Sequence, residues 1–320
     1  MTTILLIGRV HPRVRQRVAE RFEIIEIAKP DPSLVTPEIA AKVVGLASFN
    51  AMPAAMIDAL PNLKIVANFG VGYDGVDARH AAQHGVIVTN TPDVLDEEVA
   101  DTTIGLLLNT IRLLPQAENW LRAGEWEKTG SFRLSPLSLR GRHVGLYGLG
   151  RIGLQIARRL EPFNVRISYH TRSQRPDVNY THYPSLAALA EAVDTLICIV
   201  PKTPETRQTI NRDILERLGS NGVLINVGRG WTVSEDDLID ALSRKVIAGA
   251  GLDVFEDEPH VPSALMTFDN VSLLPHVASA SVITRNAMAD LVVDNLISWF
   301  EKGQPLTPVP ETPFAGRSDG

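Results

Sequence analysis

A glycine-rich turn, Gly148-Leu149-Gly150-Arg151-Ile152-Gly153, follows an apolar run that ends at Tyr147 and precedes a helical pattern over residues 154–160. In this order a strand leads into a tight turn whose backbone N–H groups can approach a pyrophosphate. The positive end of the following helix then faces that charge. An ordinary strand–turn–helix corner is the alternative. The context on both sides of the turn favours a dinucleotide-binding site.

The residues after the next apolar run indicate which dinucleotide is bound. NAD sites usually place Asp or Glu at the end of the second strand, about 20 residues beyond the glycine turn. Here Val165–Tyr169 is followed by His170 and then Thr171-Arg172-Ser173, and no carboxylate occurs between Glu161 and Asp177. Because an arginine flanked by hydroxyl groups can bind a 2′-phosphate, we expect NADPH to be preferred, with NADH as a second cofactor. A solvated polar loop is the alternative.

Short apolar runs alternate with helical patterns along nearly the whole chain, which is typical of βα units and parallel sheets. The runs are rich in Val, Ile and Leu, as expected for strands covered on both faces. We therefore expect an α/β fold with two parallel sheets. The predicted strands are Ile4–Ile7, Ile24–Ile27, Val43–Ala47, Ile65–Ala67, Val86–Val88, Val144–Tyr147, Val165–Tyr169, Thr195–Val200, Val223–Val227, Ala248–Asp253 and Val271–Leu274.

The last helical pattern, over residues 281–300, suggests that one domain is inserted into another. Its apolar residues repeat at helical spacing and need a partner surface that the second group of strands does not require. We infer that this helix returns to the first domain. The predicted substrate domain is 1–97 plus 284–320, and the nucleotide domain is 98–283, opening with a long helix over 98–121. The tail from Gln304 to Gly320 has no core pattern and is expected to be extended or disordered.

Composition and charge exclude several classes of protein. The net charge of −6 comes with no basic block, which argues against nucleic-acid and anionic-membrane partners. The first residues lack a basic leader, so we expect no signal peptide, and no apolar run is long enough to span a bilayer. Cys198, the only cysteine, lies in an apolar strand, so a buried thiol is favoured over a redox switch. A reducing cytoplasm is expected.

The segment Trp120–Leu139 carries aromatic and apolar residues without a clear period. Such a segment suggests an arm buried against a second subunit. An intrachain lid over the core is the alternative.

Three polar residues, Arg229, Glu258 and His276, follow the ends of predicted strands. Open α/β sheets bind ligands beyond the carboxyl ends of their strands, so these side chains are expected to meet. A guanidinium can hold the carboxylate and carbonyl of a 2-oxo acid. Histidine can supply the proton that an alkoxide needs after hydride transfer, and a neighbouring carboxylate orients the ring. A loop cation, a loop histidine and a solvated acidic turn are the plainer alternatives, and spacing does not choose among the three acids at 256–258.

The first domain offers a further candidate site. The segment Asn68-Phe-Gly-Val71-Gly72-Tyr-Asp74 follows a strand, and its glycines can expose successive N–H groups as an anion nest. We expect this nest to hold a substrate carboxylate opposite Arg229, with a plain βα turn as the alternative. The loop from Ser48 to Met52 is the expected wall of the same cleft.

His80 and His84 are four residues apart on a predicted helix and could share a metal ion. The sequence offers no recognisable third ligand, so a solvated helix face is expected and no metal site.

Together these motifs resemble the D-isomer-specific 2-hydroxyacid dehydrogenase family, most of all its NADPH-using reductases of glyoxylate, hydroxypyruvate and hydroxyphenylpyruvate. The resemblance spans nearly the whole chain. It is carried by Asn90–Val94, Glu98–Asp101, Gly148–Gly153, Gly228–Gly230, Gly251–Pro259 and Leu274–His276.

The resemblance implies two Rossmann-like domains with doubly wound parallel sheets, the nucleotide domain being inserted in a flavodoxin-like substrate domain, and a homodimer. It implies Arg229, Glu258 and His276 as catalytic residues, which resolves the choice among the acids. It also implies reduction of small 2-oxo acids, with bulkier aryl 2-oxo acids or a non-catalytic nucleotide sensor as alternatives. The substrate-binding residues implied are Val71, Gly72 and Arg229, and the position of the cleft-wall loop adds Ser48 and Met52. The cofactor-binding residues implied are Thr103, Gly148, Leu149, Gly150, Arg151, Ile152, Gly153, Thr171, Arg172, Ser173, Val200, Pro201, Thr206, Val227, Gly228, Asp253, His276 and Ala278.

Overall fold

The computed structural model describes residues 2–49 and 52–314 and divides into two compact units. The first unit consists of Met1–Leu95 and Ala280–Gly320, and the second of Asp96–Ser279. The boundary predicted from the sequence lies two residues later, between 97 and 98. The helix there begins at Asp96, where three successive acidic residues in the first turn stabilise a helix N-terminus.

Every strand pair in the two sheets is parallel. The predicted strands all occur, with bounds shifted by one or two residues, and a further two-residue strand follows the seventh. The strands are β1 (Thr3–Ile7), β2 (Glu23–Ile27), β3 (Val43–Ser48), β4 (Ile65–Asn68), β5 (Ile87–Thr89), β6 (His143–Tyr147), β7 (Arg166–His170), β8 (Thr181–His182), β9 (Thr195–Cys198), β10 (Val223–Asn226), β11 (Gly249–Leu252) and β12 (Val271–Leu273).

The helices between these strands are mostly short. Several begin at a side chain that accepts a hydrogen bond from the first turn, as Thr36, Asn211 and Ser281 do. The helices are α1 (Pro12–Ala19), α2 (Pro37–Lys42), α3 (Ala54–Asp58), α4 (Ala78–Gln83), α5 (Asp96–Arg112), α6 (Leu114–Arg122), α7 (Glu125–Thr129), α8 (Arg151–Leu160), α9 (Leu186–Ala192), α10 (Arg212–Leu218), α11 (Glu235–Ser243) and α12 (Val282–Lys302).

The strand orders define two doubly wound sheets. The first unit has the order β2-β1-β3-β4-β5, which is the flavodoxin-like order. The second has β12-β11-β10-β9-β6-β7-β8, the dinucleotide-binding order extended by one strand. In the second sheet the order reverses between β6 and β9, so a crevice opens at the carboxyl ends of these strands. The predicted fold class is confirmed.

The helix α12 packs on α1, β3 and β4 of the first unit, although it follows the last strand of the second. Its residues Met288, Val292 and Leu296 are buried. Arg17 of α1 also binds Asp290 and Asp294 of α12, at 2.9 and 2.8 Å. The predicted apolar stripe therefore faces the first sheet.

The tail beyond α12 is ordered and without helix up to residue 314, so of the two expected alternatives, extended or disordered, disorder was wrong there. The N–H of Val309 donates to the carbonyl of Val88 over 2.9 Å, and the N–H of Val88 donates to the hydroxyl of Thr312 over 3.0 Å. Val309 is also fully buried. The tail thus covers β5, and its last residues, 315–320, lie outside the described part of the chain.

The helix predicted over 98–121 is broken in two. Leu113 adopts a left-handed conformation with φ of +55° between α5 and α6. Pro115 then lacks the N–H group that would continue the helix. The following arm exposes Leu134 by 92% and Trp126 by 62%, so these side chains form no lid over a core of this chain. In the described residues no helix combines the length and apolar character needed to cross a bilayer.

Candidate active site

The glycine turn after β6 has the geometry of a dinucleotide cradle. Gly148 has φ of +103°, which side-chain-bearing residues rarely adopt, and a Cβ on Gly153 would lie 2.5 Å from the carbonyl oxygen of Gly148. A Cβ on Gly150 would meet no atom within 4 Å, and no side chain caps α8 at this residue. The N-terminus of α8 is therefore accessible to an anion such as a pyrophosphate.

The loop after β7 is suited to a 2′-phosphate. The first carboxylate in it, Asp177, is bound by Arg175, and this hydrogen-bonded pair lowers the pKa of Asp177. Arg175 also donates to the carbonyl oxygen of Leu149 over 2.6 Å, so its guanidinium is engaged inside the protein. Arg172 is exposed, and the hydroxyl of Thr171 donates to the carbonyl of Ser173 over 2.7 Å. Arg172 is thus the cation that this loop presents to solvent.

The strands β9 and β10 bring their carboxyl ends close to the glycine turn. A Cβ on Gly148 would lie 3.1 Å from the carbonyl of Ile199, and one on Gly228 would lie 2.9 Å from the carbonyl oxygen of Val200. The hydroxyl of Thr206 donates to the carbonyl of Pro201 over 2.8 Å and so fixes the turn after β9. The predicted cofactor residues Val200, Pro201, Val227 and Gly228 therefore lie along one crevice edge in the second unit.

Asp253 and Thr103 hold backbone groups. The carboxylate of Asp253 is fully buried and accepts N–H groups from Val277 at 2.7 Å and Ala278 at 3.0 Å. Burial raises its pKa, although the two N–H groups act in the opposite direction. Thr103 is buried in α5 and donates to the carbonyl of Val99, whereas its neighbour Thr102 donates to the carbonyl of Ala278. Contact of Asp253 and Thr103 with a nicotinamide stays a prediction.

His276 and Glu258 form the predicted pair. Nδ1 of His276 lies 2.7 Å from Oε2 of Glu258, and the N–H of Phe255 donates to Oε1 over 3.0 Å. Burial alone would raise the pKa of Glu258, but the hydrogen bonds from His276 and Phe255 and the charge of Arg229 outweigh it and lower the pKa. The carboxylate is therefore ionised and can only accept, so Nδ1 carries the hydrogen.

His276 has φ of +53°, a strained conformation for a residue with a side chain. Its N–H donates to the carbonyl of Asp253 over 2.8 Å, and the carboxylate of Asp253 holds the next two N–H groups. These contacts stabilise the turn, with the imidazole about half exposed at 47%. Nε2 is the ring nitrogen left for chemistry.

The loop that carries Arg229 is held by a residue outside the predicted site, Asn226. Asn226 is buried at the end of β10, accepts the N–H of Gly228 over 3.1 Å and donates to the carbonyl of Arg229 over 3.0 Å. A Cβ on Gly230 would lie only 1.9 Å from the carbonyl carbon of Phe255, so the two loops are in direct contact. The structure thereby brings Arg229 near Glu258, in agreement with its effect on the Glu258 pKa. An Asn two residues before a Gly-Arg-Gly turn was the available signal.

The predicted anion nest in the first unit has its carbonyl groups turned inward. Asn68 donates to the carbonyls of Gly70 and Gly72 over 3.2 and 3.0 Å, and Asn90 donates to that of Val71 over 2.9 Å. The N–H groups of Val71 and Gly72 donate to no acceptor within the described part of the chain. This arrangement can present two successive N–H groups to a carboxylate.

A cavity of about 310 Å³ lies at the carboxyl ends of β1, β3 and β4. Ser48 lines it together with two aromatic rings, Phe49 and Phe69, whose centroids are 5.7 Å apart. The lining also includes the side chains of Arg9, His11 and Arg285. Burial and then the charges of Arg285 and Arg13 lower the pKa of His11.

The rest of the predicted Ser48–Met52 wall is only partly described. Met52 is fully buried in the core of the first unit, and its side chain does not reach the surface. Its burial does not support direct contact with a substrate, and this contact stays a prediction. Residues 50 and 51 lie outside the described residues.

The structure also supplies a group that the sequence did not reveal beside His80 and His84. Asp58, at the end of α3, lies within 4.8 Å of both imidazoles. The expectation that no third ligand is available was therefore wrong. Asp58 was missed because it lies 22 positions before His80, where no local spacing links the two.

Comparison with known proteins defines the class as an NAD(P)-linked dehydrogenase. Residues 104–278 match the family described as D-isomer specific 2-hydroxyacid dehydrogenase, NAD binding domain. The chain is 62% identical to the NADPH-dependent glyoxylate/hydroxypyruvate reductase of Sinorhizobium meliloti, solved with NADP and malonate. Each chain is covered to 99%, with a TM-score of 0.97.

Two curated plant relatives each match over 310 residues, 96% of this chain and 98% of theirs. They are glyoxylate/hydroxypyruvate reductase A of Arabidopsis thaliana, at 49% identity, and hydroxyphenylpyruvate reductase of Plectranthus scutellarioides, at 45%. The chain belongs to the D-isomer-specific 2-hydroxyacid dehydrogenase family, and the predicted resemblance is confirmed.

Proposed function

We propose that this protein is a reductase of small 2-oxo acids, glyoxylate and hydroxypyruvate first, which uses NADPH in preference to NADH and forms the D-2-hydroxy acid. The observation that carries the proposal is the His276–Glu258 hydrogen bond of 2.7 Å beside the Arg229 loop. The names of the relatives, glyoxylate/hydroxypyruvate reductases, support the same activity.

The second unit fits the cofactor. The accessible N-terminus of α8 at Gly150 would hold the pyrophosphate, and the exposed Arg172 would hold the 2′-phosphate. Bound NADPH supplies the hydride for the carbonyl carbon of the substrate.

The chain's own residues bind the substrate and move the proton. Glu258 keeps the hydrogen of the imidazole on Nδ1 and orients the ring, so the protonated Nε2 of His276 can donate to the oxygen that becomes the hydroxyl group. The Arg229 guanidinium would bind the carboxylate or carbonyl oxygens of the 2-oxo acid. The N–H groups of Val71 and Gly72 would bind the substrate carboxylate.

A substrate panel tests the proposal. We expect kcat/KM for glyoxylate and hydroxypyruvate to exceed that for phenylpyruvate and hydroxyphenylpyruvate. With each substrate, kcat/KM for NADPH is expected to exceed kcat/KM for NADH. Chiral chromatography of the product is expected to give D-glycerate from hydroxypyruvate. A higher kcat/KM for the aryl substrates would favour the alternative activity, which the aromatic rings of Phe49 and Phe69 in the cavity make worth testing.

A nucleotide sensor without catalysis is the alternative from another class. It needs no proton donor, whereas this chain keeps His276 paired with Glu258 and places Arg229 nearby. Binding of NADPH without turnover of any panel substrate would favour the sensor.

We further propose a cytoplasmic homodimer. The helix α6 and the arm expose a set of apolar side chains that a second subunit would cover, namely Leu114, Leu121, Trp126 and Leu134. The single cysteine is consistent with a reducing compartment. Light scattering of the purified protein is expected to give twice the chain mass, and substitution of Trp126 and Leu134 by Ser is expected to yield monomer.

A further inference from the structure

Two histidines of the first unit converge on one carboxylate oxygen. Nε2 of His80 lies 2.6 Å from Oδ1 of Asp58, and Nε2 of His84 lies 3.5 Å from the same oxygen. The two imidazole centroids are 4.3 Å apart. We propose that these three side chains, the Asp58–His80–His84 cluster, bind a divalent transition-metal ion.

The backbone that carries the cluster is fixed by the core. Asp58 is the last residue of α3, directly after the buried Ile57, while α4 buries Ala81 between the two histidines. His80 lies in α4, and His84 is the residue directly after its end, about one helical turn further along, so the two rings lie on the same side. The cluster therefore lies at the ends of two helices that pack against each other.

The hydrogen bond of His84 prepares its ring for a metal. Nδ1 of His84 lies 3.0 Å from the carbonyl oxygen of His80. Because a carbonyl oxygen only accepts, Nδ1 carries the hydrogen, and a neutral His84 directs the lone pair of Nε2 towards Asp58. Metal-bound histidines are commonly oriented by such a second hydrogen bond. With His84 neutral, a cation between Nε2 and Oδ1 would replace the approach of a lone pair to an anion by two favourable contacts.

The donor set selects the kind of ion. Two imidazole nitrogens and one carboxylate oxygen suit Zn²⁺, Co²⁺ or Ni²⁺ rather than Mg²⁺ or Ca²⁺, which prefer oxygen ligands. Around a tetrahedral Zn²⁺ the ligand atoms lie about 3.3 Å apart, a separation close to that between His84 and Asp58. The pair of His80 and Asp58 would have to open by roughly 0.7 Å to reach it. The Asp58 side chain is 54% exposed, so it is free to make this movement.

Binding of the ion would tie α3 to α4. A ligand that binds only the folded state stabilises it by mass action, so the metal is expected to raise the melting temperature. This inference does not depend on the proposed reductase activity.

Calorimetric titration of the tag-free, full-length protein with Zn²⁺ tests the proposal, together with the visible absorption of added Co²⁺. We expect one ion per chain, a Co²⁺ spectrum typical of tetrahedral coordination, and a higher melting temperature with Zn²⁺. His84→Ala and Asp58→Asn are each expected to weaken Zn²⁺ binding at least about tenfold. Because Asn has the shape of Asp, Asp58→Asn still tests the site if His84→Ala folds poorly.

His260→Ala is the matched control. His260 also lies beside a carboxylate, 3.7 Å from Asp257, but it belongs to the second unit. Zn²⁺ affinity is expected to be unchanged in this variant. The proposal is overturned by the absence of saturable Zn²⁺ and Co²⁺ binding to the wild type, or by unchanged affinity in both cluster variants.

Discussion

Both oxygens of the Glu258 carboxylate are engaged, one by Nδ1 of His276 at 2.7 Å and the other by the N–H of Phe255 at 3.0 Å. The carboxylate therefore cannot rotate without losing a hydrogen bond, and it fixes the orientation and tautomer of the imidazole. This contact makes Nε2 the reactive nitrogen of His276, and it makes Glu258 a positioning residue for the proton donor.

Replacement of His276 by Ala removes that donor. We expect kcat for hydroxypyruvate to fall by about 10²–10⁴-fold, because proton transfer to the developing alkoxide is lost. The affinity for NADPH is expected to stay nearly the same, because the glycine turn and Arg172 lie on other segments of the second unit. Steady-state kinetics and fluorescence titration with NADPH measure the two effects. Normal turnover in this variant would remove His276 from the mechanism.

Replacement of Glu258 by Gln tests the orientation and its pH dependence. The pKa of Glu258 is lowered in the folded protein, so its ionised form contributes stability above the usual pKa of glutamate, about 4.3. That contribution is lost as the pH falls through the folded value. We expect the variant to unfold more easily than the wild type at neutral pH and the difference to shrink at acid pH, as measured by denaturant titration. At pH 7 kcat is expected to fall with little change in NADPH affinity.

Much of the fold could be predicted because buried parallel strands leave long Val-, Ile- and Leu-rich runs. The elements that were not predicted show little or no hydrophobic periodicity in the sequence. The strand β8 is only Thr181–His182, too short for any apolar repeat. The tail packs through backbone hydrogen bonds at Val309, and the spacing of side chains does not predict such bonds. The break at Leu113 depends on one left-handed residue.

The candidate site was likewise predictable only in part. Sequence spacing could not choose among the three acids at 256–258, but the structure gives each a different partner. Glu258 reaches His276, Glu256 accepts from Gln208 at 3.3 Å, and Asp257 lies 3.7 Å from His260. Such choices depend on where a turn places each side chain, and this information is not local in the sequence.

Arg172 is expected to determine the cofactor preference. Arg172→Asp places a negative charge where the 2′-phosphate would bind. We expect kcat/KM for NADPH to fall, so that the ratio of kcat/KM for NADPH to kcat/KM for NADH decreases. Arg166→Asp is the matched control, because it makes the same charge change on an exposed residue at the opposite end of β7. An unchanged NADPH/NADH ratio in Arg172→Asp, or an equal change in the control, would refute the phosphate-loop assignment.

Gly230 is expected to tolerate no side chain. An added Cβ would lie 1.9 Å from a backbone carbon of Phe255, so the Arg229 loop or the Glu258 loop must move. We expect Gly230→Ala to lower kcat/KM by more than tenfold and to lower the melting temperature. Gly105→Ala is the control, since its Cβ would meet nothing within 4 Å in the middle of α5 and Ala favours a helix. A Gly230→Ala enzyme with normal activity would show that the two loops are not coupled.

Cys198 is expected to be chemically inert in the native protein. Its thiol is fully buried in β9, and burial raises its pKa to about 11, with the hydroxyl of Thr232 at 3.3 Å. The thiolate is the reactive species, so a thiol reagent such as dithionitrobenzoate should report no free thiol at pH 8 until denaturant is added. One thiol per chain should then react. Rapid titration of the native protein would instead mean that β9 opens to solvent, and it would revive a redox role for this residue.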